Sequence, residues 1–469
     1  MRSSLVLELD VMPAEMNPAR LCDFAGRMVS AFTDRTLLLP RVDGGAPEPS
    51  ILAGLDRHED GRRWRLMLGE SAVWSDGRPI TAKDLLGTLE TARRATGVNC
   101  WIGCLLQSAR RVAADVVEVD LVRPMGCFPE ILTTELFAPR SPRGQGAGTF
   151  SLVGHLGGGR SLALRRNAAG DMHWPDGPED VIFVVTQSPE QGVRLFERGL
   201  LDVTCNPSLP DGALARYAGS AELRRGDLNL CGTLMFAAED LRGVEHRARR
   251  QNIAAAIDRK ALAERGLRPL VDFCDLWREP ETEEPDAQFA AKMRWTRSLT
   301  LGYADFSPNG HIAERLAVQL TERLGVTVVS HRLDYQQYLA CLARPCVDLL
   351  YALIQPAYPD PTSLFANLAA SRWVDLSQTS YHRALAEAEA ELEPRERLAA
   401  CARLQHILDE EMPIVPLLRV SSKFLASSKA EDLRLGSDGI LRPPSPTFDR
   451  MPVPEILAGG SSGLGDVSP

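Results

Sequence analysis

Two passages of this 469-residue chain repeat one order of elements. "VIFVVTQSPEQGVRLFERGLLDVT" reads strand, helix, strand, and "SLTLGYADFSPNGHIAERLAVQLTERLGVTVVSHRL" does so again. "CVDLLYALI" then adds another apolar strand. A strand that must cross back to run beside its predecessor uses the intervening helix as its connection, so this alternation predicts α/β layers with parallel pairing. At roughly 100–200 residues per domain, the length predicts about three units or one large divided body.

Other segments give local structure. Leu5, Leu7 and Leu9 alternate in an N-terminal strand, and Trp64, Leu66 and Leu68 share one face of another. After the second comes "SDG" (Ser75 to Gly77), which is turn chemistry. Thr81 then reads as a helix N-cap, with Asp84 completing a variant of the capping box, and Leu85, Leu86, Leu89 and Ala92 follow at helical spacing. "GTFSLVGHL" and "SLALRRN" form a strand pair around Gly157, Gly158 and Gly159. No helix and no Lys-Ser/Thr follow these glycines, so they read as a hairpin turn and not as a phosphate cradle. Gln251 to Leu267 reads as one small-residue helix, and "PRERLAACARLQHILDEEMPIVPLL" as a long helix stopped by Pro413 before an extended segment. The tail "AGGSSGLGDVSP" is Gly/Ser-rich and reads as flexible.

Several functions find no support. The net charge is −9, and the most basic stretch, "EHRARR", runs into an apolar helix as a solvated face, so no nucleic-acid partner is expected. No apolar run approaches the roughly 18–20 residues that span a bilayer. Glu8 and Asp10 interrupt the first apolar stretch, unlike a signal peptide. The chain is therefore expected in the cytoplasm if Met1 is the native start, and outside it if a leader was removed. Ten scattered cysteines suit buried free thiols in a reducing compartment, although an even count leaves bridges open. The eight histidines include no His-x3-His pair, and Cys100/Cys104 and Cys341/Cys346 are the only close cysteine pairs. Neither pair matches Cys-x2-Cys, so no metal is expected. No nucleophile elbow, dinucleotide glycine set or HExxH appears, so no cofactor and no catalytic residue is assigned.

"VWSDGRPITAKDLLGTLETARR" (Val73 to Arg94) closely resembles the signature of the family 5 extracellular solute-binding proteins, the oligopeptide-, dipeptide- and nickel-binding receptors of ABC importers. Further segments are similar to that family in its own order: "GAGTFSLVGHLGGGRSLALRRNAAG", with Phe150 where Tyr is usual, then "FERGLLDVT" and "RQNIAAAIDRKAL", then "AYPDPTSLF" and "ILDEEMPIVPLL". The likeness runs from about residue 5 to about residue 430.

The resemblance implies an α/β fold: a two-lobed clamshell of the periplasmic-binding-protein type (type II, cluster C) with an inserted subdomain. Lobe 1 would comprise 1–38, 148–238 and 426–458, the insert 39–147, lobe 2 239–425, and the tail 459–469. A small-molecule or peptide ligand would sit between the lobes of a monomer, with an ABC permease as the further partner. Position in the family pattern nominates Met12, Glu15 and Asn17 after the first strand, Met235 and Phe236 in the crossover, and Gln355, Tyr358 and Asp360 in lobe 2. Three positions depart from the peptide-binding members: Ala357 stands in place of an acidic residue, Ile354 in place of Trp, and Ala237 in place of Asn. A buried ligand ammonium without a partner would cost several kcal/mol, so a less polar or differently charged ligand is expected. Beside the receptor reading stand a cytosolic relative reused as a ligand sensor or carrier, and a biosynthetic enzyme evolved in the same cleft.

Overall fold

The computed structural model describes residues 4–444, apart from 22, 42–44, 97–99, 169–173, 206–208, 264–266, 279–292, 294, 307, 372, 375 and 377–378. The Gly/Ser tail at 459–469 lies outside the described residues. Hydrophobic cores mark three bodies, and two long strands run between two of them.

The first body is a four-stranded sheet. Leu5–Leu9 pairs in parallel with Asp180–Val185, with Leu7 opposite Phe183. Ser161–Arg166 and Phe150–Leu156 continue the sheet antiparallel, joined through Gly157–Gly159 as the hairpin reading expects. Leu5, Leu7 and Leu9 are buried with Phe183, Phe150 and the inner face of the helix Phe24–Thr33.

The insert is an antiparallel sheet of Leu52–Arg57, Arg63–Leu68, Val116–Leu121 and Leu106–Arg111, with the helix Ala82–Arg93 against it. The motif that opens this helix is built as its residues require. The Trp74 N–H donates to the Arg78 carbonyl (2.8 Å) across a turn in which Gly77 takes φ +82°. A side chain at that φ would be strained, which is why Gly stands there. The Asp84 carboxylate accepts from the Thr81 N–H (2.9 Å) while Thr81 accepts from the Asp84 N–H, a complete capping box. Trp74 is buried in the insert's own core.

The third body is a six-stranded sheet in the order Arg268–Pro269, Ile414–Leu425, Leu223–Phe236, Leu349–Ile354, Leu299–Ala304, Val328–Leu333. The last three strands are parallel, as the alternation predicts, and the helix Asn309–Leu324 is their crossover. The two longest strands are antiparallel to each other, so the sheet is mixed. They pair from Leu223 opposite Leu425, beside the first body, to Met235 opposite Ile414 in the middle of the third. Their register shifts between Asp227 and Cys231. A bulge bends a strand locally, so the connection between lobes has its bend at this point.

Two expectations are corrected. Gln251 to Leu267 is not one helix. The helix Arg247–Ala255 ends and a short one, Arg259–Leu262, begins, because the Asp258 carboxylate caps the Ala261 N–H (2.9 Å). Nor are all described cysteines free: Cys341 and Cys346 are bonded, with Cα atoms 5.4 Å apart. The chain turns back after the helix Tyr335–Ala343, and the Cys346 N–H donates to Cys341 Sγ (3.4 Å), which brings the two together. Cys127, Cys231, Cys274 and Cys401 are free and buried, Cys205 is buried, and Cys100 and Cys104 are free and exposed.

Candidate functional site: the cavity between the lobes

All three bodies contribute walls to a cavity of about 550 Å³. The first body supplies the outward side of the helix Phe24–Thr33, with Arg27, and the C-terminal segment around Asp438. The insert supplies Thr133, Thr134 and Glu135, and the third body the loop Pro356 to Pro359. Asn229, in the bend of the crossover strand, closes the inner end, where its N–H donates to the Ser437 carbonyl (2.8 Å). The volume is within the roughly 300–1,000 Å³ of small-molecule sites. A larger hollow of about 670 Å³ lies between Glu190–Glu197, Pro210–Arg216 and Val420–Lys423, but Glu190, Arg194, Glu197, Asp211 and Arg216 on its walls are exposed, so it is open surface.

An ionic chain fixes one wall. Arg27 binds Glu135 (3.2 Å) and Asp438 (2.7 Å), so the first body, the insert and the C-terminal segment meet at one guanidinium. Arg442 holds the same Asp438 through two contacts of 2.8 and 2.6 Å. Burial alone would push the Asp438 carboxyl up, but Arg442 and Arg27 outweigh it and hold it well below the usual carboxylate range. A depressed carboxylate stabilises the fold above its unfolded value of 3.8, and that stabilisation is lost as the pH falls through and below it. Asp438→Asn is therefore expected to cost about 2 kcal/mol at neutral pH, the scale of charged hydrogen bonds, with the gap to wild type closing in acid. Thermal midpoints of both proteins at neutral pH and near pH 3 check this; equal midpoints at neutral pH would contradict it.

A second ionic group lies where the insert meets the third body. Arg397 is 1% exposed and donates to Asp360 (2.7 Å), to Glu130 of the insert (2.7 Å), and to the Glu391 and Leu392 carbonyls. Arg123 of the insert binds the buried Glu389 (2.6 Å), and the Gly126 N–H donates to the Glu389 carbonyl (2.6 Å). Asp360 also caps the helix Pro361–Ala370, directly after the Pro356–Pro359 loop. One wall of the cavity is thus held by a buried guanidinium that also touches the insert.

The nominated residues fall in different places. Tyr358 lines the cavity, yet it is 2% exposed and packs into the insert's core, with its ring 6.2 Å from that of Trp101. Asp360 lies behind the loop, on Arg397. The Gln355 carbonyl accepts from Asn367 (3.3 Å). Met235 and Phe236 sit in the cores on opposite faces of the crossover strand. Glu15 accepts from the Met16 and Asn17 N–H groups (2.9 Å each), Asn17 accepts from Ala19 N–H (3.1 Å), and half-buried Met12 packs against the first body's core. Of the three departing positions, Ala357 lines the cavity, while Ile354 and Ala237 pack against the core of the third body. Arg27, Glu135, Asp438 and Arg397 were not singled out by the sequence.

Residues 46–271 match the family described as bacterial extracellular solute-binding proteins, family 5 middle. Over that stretch the chain is similar to family 5 of the solute-binding proteins. The chain is 20% identical over 423 residues to the periplasmic murein peptide-binding protein MppA of Escherichia coli, covering 78% of each chain. The solved structure of the Escherichia coli murein tripeptide binding protein MppA superposes with a TM-score of 0.76 at 18% identity, covering 94% of this chain and 96% of that one. MppA in its unliganded open form superposes at 0.67, again at 18% identity and with the same coverage. The shared fold is the two-lobed clamshell with α/β lobes. No helix, among the described residues, is long and apolar enough to cross a membrane.

Proposed function

We propose that this chain is a receptor that closes around a small organic ligand, peptide-like in class, and presents it to an ABC permease. The carrying observation is the cavity of about 550 Å³ walled by both lobes and the insert at the bend of the crossover strands. A ligand bound there touches both lobes at once, so it favours the closed state by its differential affinity. Moving such a hinge from mostly open to mostly closed takes on the order of 5 kcal/mol of that preference. The better superposition on MppA than on its open form supports an arrangement away from the open one. The bonded Cys341 and Cys346 fit an oxidising compartment, in keeping with the extracellular description of the family. Ala357 on the cavity wall gives a ligand ammonium no carboxylate at that point, which favours ligands with a capped or absent amine there.

Native mass spectrometry of protein purified from its own host is the test. One small molecule bound per chain is expected, and small-angle scattering should show expansion once it is stripped by unfolding and refolding. A protein that carries nothing, and keeps one radius of gyration against a peptide library, would overturn the reading.

A further inference from the structure

The ionic group between insert and third body has unequal charge. Glu130, Asp360 and Glu389 are three buried carboxylates, and Arg397 and Arg123 are the two guanidiniums that hold them. Arg397 and Asp360 both belong to the third body. Glu130 and Arg123 come from the insert and reach across. Glu130 Oε2 and Glu389 Oε1 are buried and make no hydrogen bond. A buried carboxylate oxygen without a donor is costly when ionised, and three negative charges against two positive ones cannot all be compensated.

We propose that this seam carries one proton, held on Glu130, and that the proton locks the insert to the third body when the clamshell is closed. The proposal rests on the clamshell reading above and adds a regulation of the same site. Opening draws Glu130 away from Arg397 and into water, where an ordinary carboxylate ionises. Closing takes the proton back.

The groups around Glu130 agree with this. At the N-cap of its own short helix, Phe128–Ile131, stands Cys127, a buried thiol that burial pushes up. From the helix Pro394–Glu411 it faces Arg397, with Cys401 behind. From the loop before Pro361 come Asp360 and Tyr358, and from the helix Thr379–Ala390 come Glu389 and Tyr381, with Arg123 opposite. Burial pushes the Glu130 carboxyl up to about 7; Arg397 pulls it down and Asp360 adds to the rise. Burial also pushes Glu389 up, against Arg123. The proton therefore belongs to a coupled group. Glu130 is the better holder because the full salt bridge of Glu389 comes from its own guanidinium, whereas Glu130 shares Arg397 with Asp360.

The sign follows from linkage. A carboxyl raised in the closed form binds more protons there than in the open form, where its value is the ordinary 4.5. Closure is therefore fully favoured at low pH and weakens as the pH rises from 4.5 through about 7. One proton changes the open-to-closed ratio by at most about tenfold per pH unit inside that window.

Small-angle scattering of ligand-stripped protein from about pH 5 to about pH 8.5 reads the ratio. Wild type is expected to expand as the pH rises. Glu130→Gln, which fixes the uncharged form, should stay compact throughout, and Glu389→Gln should keep the wild-type dependence. A pH-independent wild type, expansion in acid, or a Glu130→Gln profile that follows wild type would overturn the proposal. Flattening by Glu389→Gln alone would overturn the assignment to Glu130. If Glu130→Gln does not fold, difference infrared spectroscopy of the unaltered protein reads the protonated carboxyl. That band should persist at about pH 6 and be gone by about pH 8.5, and its absence at pH 6 refutes the proton. Expansion on ligand removal that ignores pH would sink the proton and leave the clamshell standing. No expansion on ligand removal, at any pH and in any of these proteins, would sink the clamshell itself.

Discussion

Arg397→Ala is expected to unfold at markedly lower denaturant than wild type, with a loss of about 3–5 kcal/mol, the cost of removing one partner from a buried ion pair. The size follows from what would remain. Asp360 would be buried without its cation, and Glu130 and the Glu391 and Leu392 carbonyls would lose their donor. The loss should appear at two places, since Asp360 caps Pro361–Ala370 and Glu130 belongs to the insert. Arg397→Lys keeps a charge but not the planar fork that reaches both carboxylates, so an intermediate loss is expected. Because a chain with several bodies need not unfold in one step, urea titrations followed by both far-UV circular dichroism and tryptophan fluorescence are the measurement. An Arg397→Ala midpoint within error of wild type on both probes would refute the account.

Gly126→Ala should be nearly as damaging, for a steric reason. A Cβ on Gly126 would lie 1.9 Å from the Glu391 carbonyl oxygen and 2.6 Å from its carbon. These are backbone atoms at the end of a helix and cannot rotate away. The Gly126 N–H to Glu389 carbonyl hydrogen bond is made in the same place and would be stretched. Overpacking of this kind costs about 1–3 kcal/mol, and more where backbone must move. The insert's own core does not include the clash, so the insert should stay folded and separate from the third body. Hydrogen exchange is expected to rise at 124–131 and 388–392 while Leu52–Leu68 stays protected. Gly87→Ala is the control: nothing lies within 4 Å of its Cβ inside the helix Ala82–Arg93, so it should gain about 0.5–1 kcal/mol from helix propensity. Unchanged exchange at 124–131 in Gly126→Ala would count against the seam.

Much of the fold is legible in the sequence because short-range rules act on neighbours. The capping box at Thr81 and Asp84 and the turn at Gly77 are each closed by residues within a few positions. Alternation gives Leu5, Leu7 and Leu9 their common face, and the strand–helix–strand order gives the parallel strands of the third body. The helix read from Gln251 to Leu267 went astray where a side chain competes with periodicity, at the Asp258 cap.

The wall residues were harder to see. Arg27, Glu135 and Asp438 are 108 and 411 positions apart as bonded pairs, and nothing local marks them. Arg397 did leave a trace. It stands four residues before Cys401, seven before Leu404 and eleven before Leu408, all on the buried side of their helix. A charged residue in that stripe must find a partner or be excluded from the core. The sequence does not say which carboxylates come to meet it.

The sequence by itself determined the elements, their order and the family pattern, because caps, turns and periodicity depend on contacts a few residues long. Only the tertiary structure decided that Glu130 and Asp360 share Arg397, and that the Pro356–Pro359 loop closes a cavity with Arg27 and Asp438. Those choices depend on which charges are buried together, and burial is a property of how the bodies pack.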